Sequence, residues 1–301
     1  MKFDLGNIST TKVAAFLKNK NNIGHVDRHD DFVDFERYLE EGMDSSLNAA
    51  RLIEKELPLI NPTIILEIGC SIGLNCFALQ SVYPCAKIIG VEPEGAAVQL
   101  ANELSQSRTQ SEGSPIFLKA IGEQLPLEDN SVDLIICHTV IEHVTDVAMV
   151  ISEAARVLRV GGYLHLEAPN YLWPHEPHLD IWCIPLLGKK SVSYFAKLQG
   201  RGAAREFLDH LQFVTPFQLE AEFKKNNLAW ENRVRAKIIN IFNNDLSAVR
   251  KYKLLASILK FTKLLGLSSV IEEAVILSGL YPSVLYTIQK EMDVETRDRH
   301  K

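Results

Sequence analysis

From about residue 63 the chain alternates short β-branched runs with stretches of helical period, an order that a parallel sheet covered by helices satisfies. The runs at 63–68, 87–92, 116–119, 132–137 and 163–167 read as strands, with helices near 74–82, 94–106 and 146–158 between them. The last of these helices closes on Arg156, Arg159 and Gly161-Gly162, a basic last turn followed by a glycine stop. The expected class is α/β: a doubly wound, mostly parallel sheet.

The flanks read differently. Asp44-Ser45 caps an amphipathic helix that stops at Pro58, so 1–57 is an N-terminal helical lead-in and 58–236 the core. After the fifth strand, PNYLWPHEPHLDIWCIPLLG is too irregular for either period and reads as a lid, over about 169–214. Thr215, Pro216 and Gln218 open a helix to about Asn227 with an N-cap, a proline in the first turn and a capping-box partner. Two late strands follow at 228–236 and 283–289, the last antiparallel, separated by a helical insertion at 237–280; a charged tail ends the 281–301 segment.

Composition removes several classes. The 301 residues are 47% hydrophobic with a net charge of −6, so a full core is available and a phosphate-backbone binder, which needs a basic face, is disfavoured. Cys70, Cys76, Cys85, Cys137 and Cys183 show no metal-ligand spacing and read as reduced core thiols. His175, Glu176 and His178 crowd into four loop residues around Pro177, a poor zinc geometry, so no metal is expected. No run of eighteen apolar residues occurs, which points to a cytoplasmic protein.

The strongest local signal is ILEIGCSIG at 65–73, a buried strand entering small residues and then a helix. Gly69 and Gly73 permit a tight turn and close approach to a ligand. The spacing is neither the dinucleotide G-x-G-x-x-G nor the phosphate-binding loop ending in Gly-Lys-Ser/Thr. Nineteen residues after Gly73, Glu92 ends the second strand, where a carboxylate can accept both hydroxyls of a ribose.

LEIGCSIG, VEP, GEQLPLEDNSVDLIICHTVIEHV and VLRVGGYLHLEAPN, in that order over residues 62–170, resemble the class I S-adenosylmethionine-dependent methyltransferases. The likeness is nearest to the subgroup acting on small molecules, lipids and sugars, as the ubiquinone-type enzymes do. It implies a Rossmann-like fold, S-adenosyl-L-methionine as cofactor, Glu67, Gly69, Ser71 and Gly73 around its methionine end, Cys70 and His138 as further cofactor-binding residues, Glu92 on the ribose, and Pro93 against the adenine. Gly122, Glu123 and Gln124 would hold the adenine edge. Ile121 stands where the family commonly has an acidic residue, so Glu123 or the backbone amides of Gly122 and Glu123 must serve instead.

Alignment and desolvation are the main needs of methyl transfer, and a hydroxyl acceptor also benefits from a base. His138, Glu142 and His143 at the end of the fourth strand, and His178 in the lid, are the catalytic candidates. His165 and His210 read as structural, and Tyr171, Trp173 and Trp182 as an aromatic wall for the acceptor. The expected activity is methyl transfer to oxygen of a small organic acceptor such as a sugar, a lipid-linked intermediate or a quinone-like ring; the alternative is a non-catalytic, cofactor-binding subunit of the same fold. Residues 249–265 form a basic amphipathic stretch suited to an anionic membrane or, as the favoured reading, to covering substrate or a homodimer partner.

Overall fold

A computed structural model describes residues 35–57, 60–107, 114–201, 205–236 and 266–291, together with residues 12, 13, 16, 257 and 261. The 249–265 stretch, apart from Ser257 and Phe261, lies outside the described residues, as does the charged tail from 292.

The first long helix, α1 (Phe35–Glu56), runs unbroken through Asp44, which the sequence reading made its cap. Leu39, Met43, Ala50, Ile53 and Leu57 are buried along one stripe, so tertiary burial carries the helix across the capping residue. At Gly42 it crosses Leu74, where a Cβ would sit 2.5 Å from the leucine Cδ1.

The core alternates β1 (Ile64–Ile68), α2 (Leu74–Val82), β2 (Lys87–Glu92), α3 (Gly95–Gln106), β3 (Ile116–Lys119), β4 (Val132–His138), α4 (Val147–Val157) and β5 (Leu158–Pro169). A two-stranded hairpin, β6 (His175–Glu176) and β7 (Ile181–Trp182), a 3-10 turn (Pro185–Leu187), α5 (Lys189–Leu198) and α6 (Arg205–His210) occupy the segment read as a lid. Then come α7 (Pro216–Lys225), capped by Thr215 as expected, β8 (Leu228–Asn232), α8 (Ser268–Ser278) and β9 (Ser283–Lys290).

Seven strands form one sheet in the order β3-β2-β1-β4-β5-β9-β8. β1 through β5 pair in parallel, and β9 runs antiparallel to both β5 and β8. The antiparallel strand is thus enclosed, with β8 outside it. Leu66, Ile135 and Leu164 face α4 and the lid, and Ile65, Leu134 and Ile136 face α1 to α3, so both faces are apolar, as a doubly wound sheet requires. The order reverses beside β1, which sets the crevice at the carboxyl ends of β1, β2 and β4.

Candidate active site

The turn from β1 to α2 holds three residues in the left-handed region: Gly69 at φ 72°, Ser71 at 50° and Gly73 at 84°. The amides of Gly69 and Cys70 donate to Val91 O at 2.8 and 3.0 Å, tying the turn to β2. A Cβ on Gly69 would collide with the Val140 side chain and one on Gly73 with the Phe117 ring. The close approach that these glycines allow is therefore to the protein's own side chains.

Glu92 ends β2 with its carboxylate oriented by two backbone amides, Ser71 N at 3.0 Å from Oε2 and Glu94 N at 3.1 Å from Oε1. Burial raises its pKa and outweighs these hydrogen bonds. Its neighbour Pro93 lines a cavity of about 450 Å³ with Lys119, Ala120, Ile121, Gln124, Leu125 and Pro126. A fixed carboxylate that adjoins a largely apolar slot is the pairing a nucleoside needs, and the residues present fit that group.

Glu67 lies buried beneath the turn, where burial pushes its carboxyl up to about 7 while Cys76 Sγ donates to it at 2.9 Å. Cys70 is buried beside it. Gly122 packs on Ile68 and Val150, and Glu123 accepts the amides of Thr145 at 2.7 Å and Asp146 at 3.3 Å. Of the adenine-edge candidates, Gln124 lines the cavity, and so does Ile121.

On the other side of the β4 end, Glu142 is fully buried and neither carboxyl oxygen has a hydrogen-bond partner among the described residues. His143 Nε2 and His178 Nε2 stand 3.9 and 4.0 Å from its Oε1. Burial raises the Glu142 pKa to about 7. The lid brings His178 in, its Nδ1 2.6 Å from the buried Glu176 and its ring edge-on to His143. Burial opposes charge on His178, but Glu176 and Glu142 prevail and hold its pKa above the ordinary imidazole value. The lid is fastened here, since Gln212 N donates to Glu142 O at 2.6 Å. Glu142, His143 and His178 offer donor atoms within 4.8 Å of one another, close enough to grip one cation. Only His178 of the crowded residues 175–178 joins this cluster; Glu142 and His143 come from the end of β4, so the poor zinc geometry of the lid sequence does not govern it.

His138 points elsewhere. Its Nε2 lies 2.7 Å from His165 Nδ1, and His165 Nε2 lies 3.0 Å from Glu56 Oε2, a chain of contacts from the end of β4 through β5 to α1. Arg233 Nε is 3.6 Å from the same Glu56 oxygen. His165, read as structural from sequence, is the middle member of this chain. Its signal was its register: it pairs with Ile136 across β4 and β5, so it shares a face with His138 two residues on.

The aromatic wall does not form. Tyr171 is buried, stacked on Phe213 at 4.4 Å, while Trp182 lies exposed, edge-on to His175. Asn170 was missed altogether; buried, it donates to Gly279 O and Tyr281 O, both at 2.7 Å, and anchors the start of the lid.

Residues 66–166 match the family described as "Methyltransferase domain". The chain is 31% identical over 169 residues to the uncharacterized methyltransferase YcgJ of Bacillus subtilis, covering 56% of this chain and 58% of that one. It is 27% identical over 164 residues to the ubiquinone biosynthesis O-methyltransferase of Bartonella quintana, covering 54% and 59%. The chain spans under two thirds of the length of these curated relatives. The crystal structure of YcgJ superposes with a TM-score of 0.50 at 19% identity, over 83% of this chain and 99% of that one. The [4+2]-cyclase SpnF superposes with a TM-score of 0.51 at 15% identity, over 94% and 95%, so the architecture alone does not fix the chemistry. The domain match, these relatives and the motifs at the strand ends agree: residues 66–166 are a methyltransferase domain of the class I S-adenosylmethionine-dependent family.

Proposed function

We propose that the chain transfers a methyl group from S-adenosylmethionine to a hydroxyl oxygen of a small organic acceptor. The observation that carries this reading is the buried Glu142 carboxyl, without a hydrogen-bond partner among the described residues, between His143 and His178 at the strand end across the crevice from Glu92. When bound, S-adenosylmethionine supplies an electrophilic methyl group on a sulfonium centre. Glu92 holds the ribose hydroxyls, Pro93, Ile121 and Gln124 receive the adenine, and the 69–73 turn receives the methionine end.

The acceptor hydroxyl enters among Glu142, His143 and His178. The hydroxyl donates its hydrogen bond to His178 Nε2, which takes the proton as the oxygen gains the methyl group and the sulfonium becomes a neutral thioether, and Glu142, 4.0 Å from that nitrogen, favours the imidazolium that forms. Glu176 on Nδ1 sets the imidazole's orientation and raises its basicity, the arrangement of a base with its orienting carboxylate. The homology to an O-methyltransferase supports oxygen as the target.

The test is turnover with labelled S-adenosylmethionine and a panel of sugar, lipid-linked and phenolic hydroxyl acceptors, for wild type and His178→Ala. Turnover lost in the variant at unchanged S-adenosylhomocysteine affinity supports the reading. Cofactor binding with no turnover on any hydroxyl acceptor would overturn it in favour of a non-catalytic subunit.

A further inference from the structure

Residues 181–201, IWCIPLLGKKSVSYFAKLQGR, carry four basic residues and no acid in a chain whose net charge is −6. They comprise β7, the 3-10 turn and α5, immediately beyond the lid strand that presents the His175–His178 cluster. One side of the segment is seated in the core through Ile181, Cys183, Pro185, Val192 and Ala196. The other side is also apolar: Trp182, Ile184, Leu186, Leu187, Tyr194 and Leu198 are between 46% and 67% exposed.

Single exposed hydrophobic residues are ordinary, but six within seventeen residues are not. Their arrangement is directional. On α5, Lys190, Tyr194, Lys197 and Leu198 follow the i, i+4, i+7, i+8 spacing of one helical face. Trp182 is tied to the end of that helix, since Gln199 Nε2 donates to Trp182 O at 2.7 Å and Trp182 N donates to Gln199 Oε1 at 3.1 Å. Gly188, at φ 82°, turns the chain so that Leu186 and Leu187 precede the lysine pair. Lys189 is engaged with Asp209 O at 2.8 Å, which leaves Lys190 and Lys197 as the cations of the outward face.

We propose that residues 181–201 dock the protein on a membrane surface containing anionic lipid, with Trp182, Leu186, Leu187 and Leu198 set into the interfacial layer and Lys190 and Lys197 directed to the headgroups. The charge balance favours lipid: a basic, acid-free segment on an acidic protein complements an anionic bilayer and repels basic partners. Long lysine side chains flanking leucine and tryptophan suit the boundary between acyl chains and headgroups. A second copy fits poorly, because two-fold self-pairing of this face sets Lys190 and Lys197 against one another. The contact is peripheral, as no helix among the described residues is long and apolar enough to cross a membrane. Docking stands independently of the methyl-transfer reading; together they make the acceptor a molecule drawn from the lipid phase.

The test is co-sedimentation of the full chain with phosphatidylcholine vesicles, with and without phosphatidylglycerol. Binding is expected to the anionic vesicles only and to fall with added salt. Lys190→Glu with Lys197→Glu should reduce partitioning at least tenfold, at roughly fivefold per basic residue removed, and Leu186→Ser with Leu187→Ser should reduce it comparably. Each changed residue is exposed, so both variants should keep the wild-type melting temperature. The proposal fails if no anionic vesicle binds at low salt. It fails equally if binding survives both variants and is lost in Lys253→Glu with Lys260→Glu, or if sedimentation velocity shows a dimer that Leu186→Ser with Leu187→Ser dissociates. Cofactor binding measured on the same samples reports separately on the methyltransferase reading.

Discussion

His138 Nε2 lies 2.7 Å from His165 Nδ1, and the two rings are tilted by 56° at a centroid distance of 4.9 Å. Because His165 Nε2 meets Glu56, the N-terminal helix reaches the end of β4 through one buried imidazole. His165→Leu should therefore strip both Glu56 and His138 of a buried partner and lower stability by about 1–3 kcal/mol in denaturant unfolding. An unchanged unfolding midpoint would reduce the chain of contacts to mere proximity.

Glu92→Gln keeps the shape of the site but gives up charge-assisted bonds to the ribose. S-adenosylhomocysteine binding should weaken by about 1.5–3 kcal/mol, roughly 10- to 150-fold in Kd, as read by calorimetry. Equal affinity in a folded variant would remove Glu92 from the ribose.

Glu142 carries a pH signature. Its folded pKa is raised from 4.5 to about 7 by burial, so between those values the native state holds a proton that the unfolded chain has released. Stability attributable to this group is therefore full below pH 4.5 and declines as pH rises towards 7. At about 1.4 kcal/mol per tenfold in proton affinity the loss is on the order of 3 kcal/mol. Glu142→Gln, which cannot ionise, should match wild type near pH 5 and exceed it in denaturant unfolding at pH 8. A stability difference that does not change with pH would show that the carboxyl is not held in its neutral form.

Gly73 is the turn position with least latitude. Gly73→Ala must place a methyl group where the Phe117 ring lies, in a backbone conformation at φ 84° that alanine resists. A loss of about 2–4 kcal/mol is expected, and Phe117→Leu in the same chain should recover part of it, the signature of a shared steric cause. Additive losses in the double variant would refute that cause.

The sheet was legible because its signal is local. Runs such as Ile88, Ile89 and Val91 are buried on both faces, and the turns between strands carry their own glycine and capping chemistry. Where position along the chain was enough, as for Glu92 at the end of β2, the reading located the residue. It failed for Asp44, since a polar residue on the outer face of a helix looks the same as one at its start. The Glu56–His165 contact was invisible because those residues are 109 positions apart and meet only once α1 has packed over β5. The convergence of His178 on Glu142 depends on how the lid folds back, for which Gln212 and Asn170 supply fastenings that no short motif announces.

The enclosed position of β9 bears on how the chain is made. β5 and β8 leave the ribosome before the strand that separates them, so each waits with an open hydrogen-bonding edge until residues 283–290 are synthesised and insert between them. The parallel strands β1 to β4 have all their partners by residue 169. Translation thus divides the sheet in time: a parallel half paired early, and a half whose edges stay open to wrong partners until one late strand closes it.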